Sequence, residues 1–207
     1  METKVKLDLF RHALEKFIIF NEQEWKIFTD HLSFSTTKKK HHFAVQGNVC
    51  DYIGFILSGS VRYYHLKDGT EITGYFSVEN ELISAYKSFV TRQPCSNNIQ
   101  MLEETKLILI SHQDLQLMYN NPVIGQKMNR FMRLVAEHYL CCYEDRISAF
   151  ITQTPEERYL EMLTTEAYIL QRIPQQYIAN YLGITPVSLS RIRNRTIYSK
   201  KILAPVI

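Results

Sequence analysis

The spacing of hydrophobic positions changes period along the chain, and each period predicts a different element. From Lys38 to Val78 the apolar residues come in short runs rich in β-branched and aromatic types, KKKHHFAVQGN, YIGFILSGSVRYYHL and TEITGYFSV. Gly47, Gly54, Gly59, Gly69 and Gly74 punctuate them. Such runs read as strands. The stretch KDGT, Lys67 to Thr70, sets Asp68-Gly69 between two of them, which is a hairpin turn signal. Many short strands at close spacing predict a jelly-roll barrel. Lys38, Lys39 and Lys40 are expected on a solvated strand edge, where charge discourages stray pairing. His41 and His42 are adjacent, so on a strand they point to opposite faces and do not share a metal. No other His and Glu set has metal-site spacing, which argues against a metal-dependent barrel enzyme and leads us to expect no metal and no cofactor.

Between Pro122 and Ile151 the period becomes helical. Ile124, Met128, Phe131, Val135, His138 or Tyr139, and Cys142 recur at alternating four and three, the spacing of a coiled-coil seam, and Met128, Phe131, Val135, Tyr139 and Cys142 are the seam residues. We assign this stripe to contact with a second copy of the chain. Met132, Leu134 and Leu140 supply a second apolar face, suited to packing on the barrel. The alternative is one buried helix in a monomer. Thr154, Pro155 and Glu157 then open a new helix with a capping box and a proline at its first position. We place the domain border there: a sensor domain at 1–152, including the dimerisation helix at about 122–151, and a second domain at 153–207.

The second domain contains the stretch IANYLGITPVSLSRIR. Ile178, Ala179 and Leu182 put one apolar face on a helix from Gln175 to about Tyr181, and Gly183 supplies the positive φ that ends it. Ile184 is expected as a buried loop residue. Thr185 is the next N-cap and Pro186 the first helical position. In the helix that follows, Leu189 and Ile192 face inward, while Val187, Ser188, Arg191 and Arg195 point outward. Two helices about a tight glycine turn make a helix-turn-helix, whose second helix has the size to enter the major groove of DNA.

Charge strengthens that reading. The chain has 207 residues, 45% hydrophobic and 22% charged, enough for two modest cores. Its net charge is only +3, yet all 21 acidic residues precede Gln171, and beyond it stand Arg172, Arg191, Arg193, Arg195, Lys200 and Lys201 without an acid. An ordered, acid-free basic block is a footprint for a phosphate backbone. We therefore assign Gln175, Thr185, Val187, Ser188, Arg191, Arg193, Arg195 and Lys200 to DNA, Arg191 to a base and the later cations to phosphates. Cys50, Cys95, Cys141 and Cys142 form no CxxC pair, which fits reduced thiols. No membrane-length apolar run and no leader pattern is present, so a cytoplasmic location is expected.

Taken together, VQGNVCDYIGFILSGSVRYYHLKDGTEI, the long helix and RIPQQYIANYLGITPVSLSRIR resemble the Crp/Fnr superfamily of bacterial transcription regulators, over roughly Asn21 to Arg195. The resemblance implies an α+β fold: an N-terminal double-stranded β-helix, or jelly-roll, sensor barrel, a long dimerisation helix and a C-terminal helix-turn-helix domain. It implies a homodimer reading two half-sites of double-stranded DNA, with RNA polymerase and a small-molecule effector as further partners. Cyclic-nucleotide binders of the superfamily hold the ribose with a Glu and the cyclic phosphate with an Arg-Ser pair. Here Ala85 and Cys95-Ser96 occupy those places, so cyclic AMP is not expected as the ligand. Arg62, Tyr75, Tyr86, Lys87 and Ser96 are the effector-pocket candidates. The Arg-Glu opening of many relatives' recognition helices is Pro186-Val187 here, and the twelve residues after Arg195 predict a wing that is absent or reduced to one strand. A second function fits the same pattern: a small-molecule-binding barrel that controls a partner protein, with a degenerate or protein-contacting helix-turn-helix.

Overall fold

The computed structural model describes the backbone of residues 2–203 and the side chains of residues 4–196. Two helices lead in, α1 (Glu2–Leu14) and α2 (Glu22–Thr29), followed by β1 (Ser33–Thr37), β2 (His42–Ala44), β3 (Tyr52–Ser58), β4 (Val61–Lys67), β5 (Thr70–Ser77) and β6 (Leu82–Ile83). A short helix α3 (Tyr86–Thr91) precedes β7 (Asn98–Met101), β8 (Thr105–Ser111) and α4 (His112–Tyr119). Then come the long α5 (Gly125–Thr152), α6 (Pro155–Thr165), α7 (Ala167–Arg172), α8 (Gln175–Tyr181) and α9 (Pro186–Leu203). The chain separates into two compact units, Met1–Cys141 and Cys142–Ile207. The last turns of α5 therefore go with the second unit, and the break at Gln153 and Thr154, where we expected the border, marks the end of that helix.

In the first unit two four-stranded antiparallel sheets, β1-β8-β3-β6 and β2-β7-β4-β5, form the predicted double-sheet barrel. The KDGT turn is a hairpin with Lys67 paired to Thr70 and positive φ at Asp68 and Gly69, as a type I′ turn demands. The lysine run departs from expectation: Lys38 to Lys40 are exposed in the turn between β1 and β2, not on a strand edge, because Lys40 takes φ 70° and breaks the extended backbone. His41 lies in the same turn, and His42 starts β2, where its Nε2 meets the Tyr64 hydroxyl at 2.9 Å.

Aromatic side chains lock the leading helices to the first sheet. Phe10 of α1 sits 4.6 Å, centroid to centroid, from Phe55 of β3, and Phe20, Trp25 and Phe28 complete the cluster. An Asn21 and Glu24 capping box starts α2.

This core also takes in the first half of α5, which corrects the assignment of its apolar stripe. Met128, Phe131 and Val135 are buried within their own chain at 0%, 1% and 6% exposure. Phe131 meets Phe17, Phe20 and Phe28 edge-on. The Tyr139 hydroxyl accepts from the Leu82 N–H at 3.0 Å and donates to the Leu82 carbonyl at 3.1 Å, so it holds the β6 backbone. Cys142 is half-buried on the same side of the helix. Met128, Phe131, Val135 and Tyr139, expected to meet a partner, thus pack within their own unit. The exposed apolar residues are instead Leu140, Tyr143, Ile147, Phe150 and Ile151, roughly a third of a turn round the helix.

Candidate nucleic-acid interface and sensor pocket

The helix-turn-helix is built by local chemistry. Helix α8 has the bounds expected from its apolar spacing, with Ile178, Ala179 and Leu182 fully buried. Gly183 takes φ 72°, its N–H bonds the Asn180 carbonyl at 3.0 Å, and the Ile184 N–H bonds the Ala179 carbonyl at 3.0 Å. That pair of bonds is a Schellman motif, and it fixes the reversal of the chain. Ile184, expected to be buried, is only partly so. Arg158 of α6 adds a constraint that sequence reasoning missed. Its Nη2 donates to the Leu182 carbonyl at 2.9 Å and its Nη1 to the Gln153 carbonyl at 2.7 Å, placing a cation at the carbonyl end of α8. The Arg146 guanidinium lies 4.1 Å over the Tyr181 ring from the α5 side.

Helix α9 starts as expected. The Thr185 Oγ1 accepts the Ser188 N–H at 3.1 Å, and Pro186 is the first helical residue. Leu189 and Ile192 are buried at 1% and 6% exposure. At about 3.6 residues per turn, Val187 and Asn194 fall opposite that inward face, with Ser190 and Arg191 on either side of the line they make. All four are exposed.

The predicted DNA residues distribute unevenly about this face. Val187 and Arg191 lie on it. Ser188 does not: it is half-buried, and its hydroxyl stands 3.0 Å from Thr185 Oγ1 within the cap. Arg193 and Arg195 lie on the flanks, and Arg195 is paired with Glu156 of α6 at 2.6 Å. Gln175 is turned inward, its Nε2 donating to the Leu170 carbonyl at 3.3 Å. The Lys200 side chain lies outside the described residues. Ser190 and Asn194 were missed although the inward register set by Leu189 and Ile192 already placed them outward, because the assignment followed the basic residues. No strand follows α9 among the described residues. Thr196 to Leu203 prolong the helix, and no glycine or proline interrupts them.

In the barrel, register separates two faces of the second sheet. Val61, Tyr63, Ile99 and Met101 point into the core, and Tyr75, directly opposite Tyr63, shares that face with ring centroids 5.8 Å apart. Arg62 therefore points to the other side. It is 2% exposed, donates through Nε and Nη2 to Gln100 Oε1, pairs with Glu71 at 2.6 Å and lies 4.2 Å over the Tyr64 ring. Of the five expected pocket residues only Tyr75 lines the barrel interior. Tyr86 and Lys87 are exposed on α3, and Ser96 is exposed with its carbonyl accepting from His65 Nδ1 at 2.9 Å.

At the two places that the family resemblance gives to the cyclic-nucleotide clamp, the chain carries neutral groups. Cys95 is buried, its Sγ donating to the Val45 carbonyl at 2.9 Å, and burial pushes its thiol pKa up. Ala85 is buried beside the start of α3. Arg92, the nearest arginine in sequence, donates to the Cys50 carbonyl at 2.9 Å and is ion-paired with Asp51. No group of three or more His, Cys, Asp or Glu among the described residues is arranged to hold a metal. No described helix is long and apolar enough to cross a membrane.

The comparisons agree with this geometry. Residues 36–121 match the family model of the cyclic nucleotide-binding domain. Over about 85% of the chain the fold is similar to that of solved transcription regulators. The chain is similar to FixK2 from Bradyrhizobium japonicum, with a TM-score of 0.66, 17% identity, and 85% of this chain and 89% of that one covered. It is similar to the c-di-GMP-responsive regulator CLP from Xanthomonas campestris, at 0.65 and 14% identity over 84% and 91% of the two chains. A third relative in structure is a transcriptional regulator of the Crp/Fnr family from Eubacterium rectale, at 0.64 and 22% identity over 86% and 85%. No curated protein matches the chain in sequence.

Proposed function

We propose that the protein is a dimeric, sequence-specific regulator of transcription that binds double-stranded DNA through α9 and takes its signal through the barrel. The observation that carries this reading is the outward face of α9: exposed, without an acid, and presenting Arg191 between a rigid Schellman turn and a flank of further arginines. The fold shared with Crp/Fnr regulators supports it. Dimerisation is assigned to Leu140, Tyr143, Ile147 and Phe150, spaced three and four apart and exposed at 60%, 53%, 59% and 62% in the single chain.

Selection from a random pool of DNA duplexes tests the reading. The full-length protein should enrich a pseudo-palindrome. On that site Arg191→Ala should lose about 1 to 3 kcal/mol and relax discrimination at one base pair per half-site. Lys200→Ala should weaken all duplexes alike and reduce the salt slope by roughly one. A protein that enriches no sequence at any salt concentration overturns the proposal.

The effector differs from cyclic AMP on this reading. Both arginines near the barrel, Arg62 and Arg92, already hold carboxylates. Drawing either onto a phosphate would break its pair with Glu71 or Asp51. Titration calorimetry should therefore give no binding of cyclic AMP at low micromolar concentration. A low-micromolar affinity would show that one of these pairs opens.

A further inference from the structure

The outward face of α9 begins with a feature that packing does not explain. Val187 is 62% exposed, on the line directly opposite buried Leu189 and Ile192. A β-branched side chain gains nothing from that position in an isolated helix, where it loses rotamer freedom and buries no area. Its two methyl groups stand at the front of the helix, one turn before Arg191. The major groove displays one apolar feature on base edges, the C5-methyl group of thymine. We propose that Val187 is a specificity-determining residue that packs on a thymine methyl in each half-site, within two base pairs of the guanine read by Arg191.

The spacing follows from the helix. Four residues advance about 6 Å along the axis, under two base steps of roughly 3.4 Å. The chemistry of the neighbours leaves this role to Val187. Ser188 is held in the N-cap, Pro186 has no N–H to donate, and Ser190 and Asn194 are polar. The Val187 side chain can neither donate nor accept, so specificity at this step comes from shape and apolar contact rather than from a hydrogen bond. The inference rests on the DNA-binding reading above.

The test replaces thymine by uracil, which removes the 5-methyl group and keeps every hydrogen-bonding atom. Duplexes selected by the full-length protein are resynthesised with uracil at each thymine in turn, and affinities are measured at fixed salt. The wild-type protein should lose about fourfold per half-site at one thymine, the effect of one buried methyl-sized group. Val187→Ala, a change at an exposed position, should bind the thymine and uracil duplexes equally there and still discriminate at the Arg191 base pair. If uracil at every position leaves wild-type affinity unchanged, or if Val187→Ala keeps the full preference for thymine, the inference is wrong while DNA binding stands. Failure to enrich any duplex overturns the DNA-binding reading and this inference with it.

Discussion

Ile147→Glu should convert the protein from a dimer to a monomer at micromolar concentration, and sequence-specific DNA binding should go with it. Ile147 sits mid-stripe between Tyr143 and Phe150, and all three are more than half exposed in the single chain. Under two-fold symmetry the same stripe meets itself, so one substitution places two carboxylates in the seam. An uncompensated charge buried in an apolar contact costs about 3 to 5 kcal/mol. Two of them shift the association by roughly 6 to 10 kcal/mol, at least a ten-thousandfold change in dissociation constant. Far-ultraviolet circular dichroism should be unchanged, because Ile147 is 59% exposed in the single chain and belongs to none of its buried core. Loss of the second recognition helix removes the intramolecular gain from engaging both half-sites, so binding should fall to the level of one half-site. Sedimentation velocity gives the answer directly: an Ile147→Glu protein that runs as the wild-type dimer places the seam elsewhere.

The same helix shows where the sequence was legible and where it was not. Apolar spacing located α5 to within a few residues of Gly125–Thr152, because a long amphipathic helix writes its period in its own residues. It did not say which apolar face meets the barrel. Met128, Phe131, Val135 and Tyr139 make as good a heptad stripe as Leu140, Tyr143, Ile147 and Phe150, and the choice depends on Phe17 and Phe20 of the connection between α1 and α2 and on Phe28 of α2, more than 100 residues earlier in the chain. The helix-turn-helix was legible almost to the residue. Its turn is fixed by Gly183, Thr185 and Pro186, whose effects are local. The effector pocket was the least legible part. Membership of a pocket turns on strand register, and the bulge at β5 between Tyr63 and Tyr64 partners decides which of Arg62, Tyr63 and Tyr75 face inward. The Asn21 and Glu24 box that starts α2 was also readable, as the same device at Thr154 and Glu157 was read for α6.

Phe131→Ala should destabilise the first unit by about 3 to 5 kcal/mol while leaving association intact. The side chain is 1% exposed and its ring lies 6.2 Å from Phe17 and 6.5 Å from both Phe20 and Phe28, edge-on in each case. Truncation removes the transfer energy of the ring, three edge-to-face contacts and the filling of a site walled by rings that have little freedom to collapse inward. Trp25, the one tryptophan in the chain, is buried in the same cluster, 5.6 Å from Phe28, and reports the transition by its fluorescence. Urea denaturation followed at that residue should show a midpoint lowered from the wild-type one by the same amount at every protein concentration, since association shifts both proteins alike. A residue of the dimer seam behaves in the opposite way: its loss lowers the midpoint less as protein concentration rises, since mass action restores the dimer. Concentration dependence therefore separates the two faces of α5. If the Phe131→Ala midpoint recovered at high protein concentration, this part of the helix would belong to the interface after all.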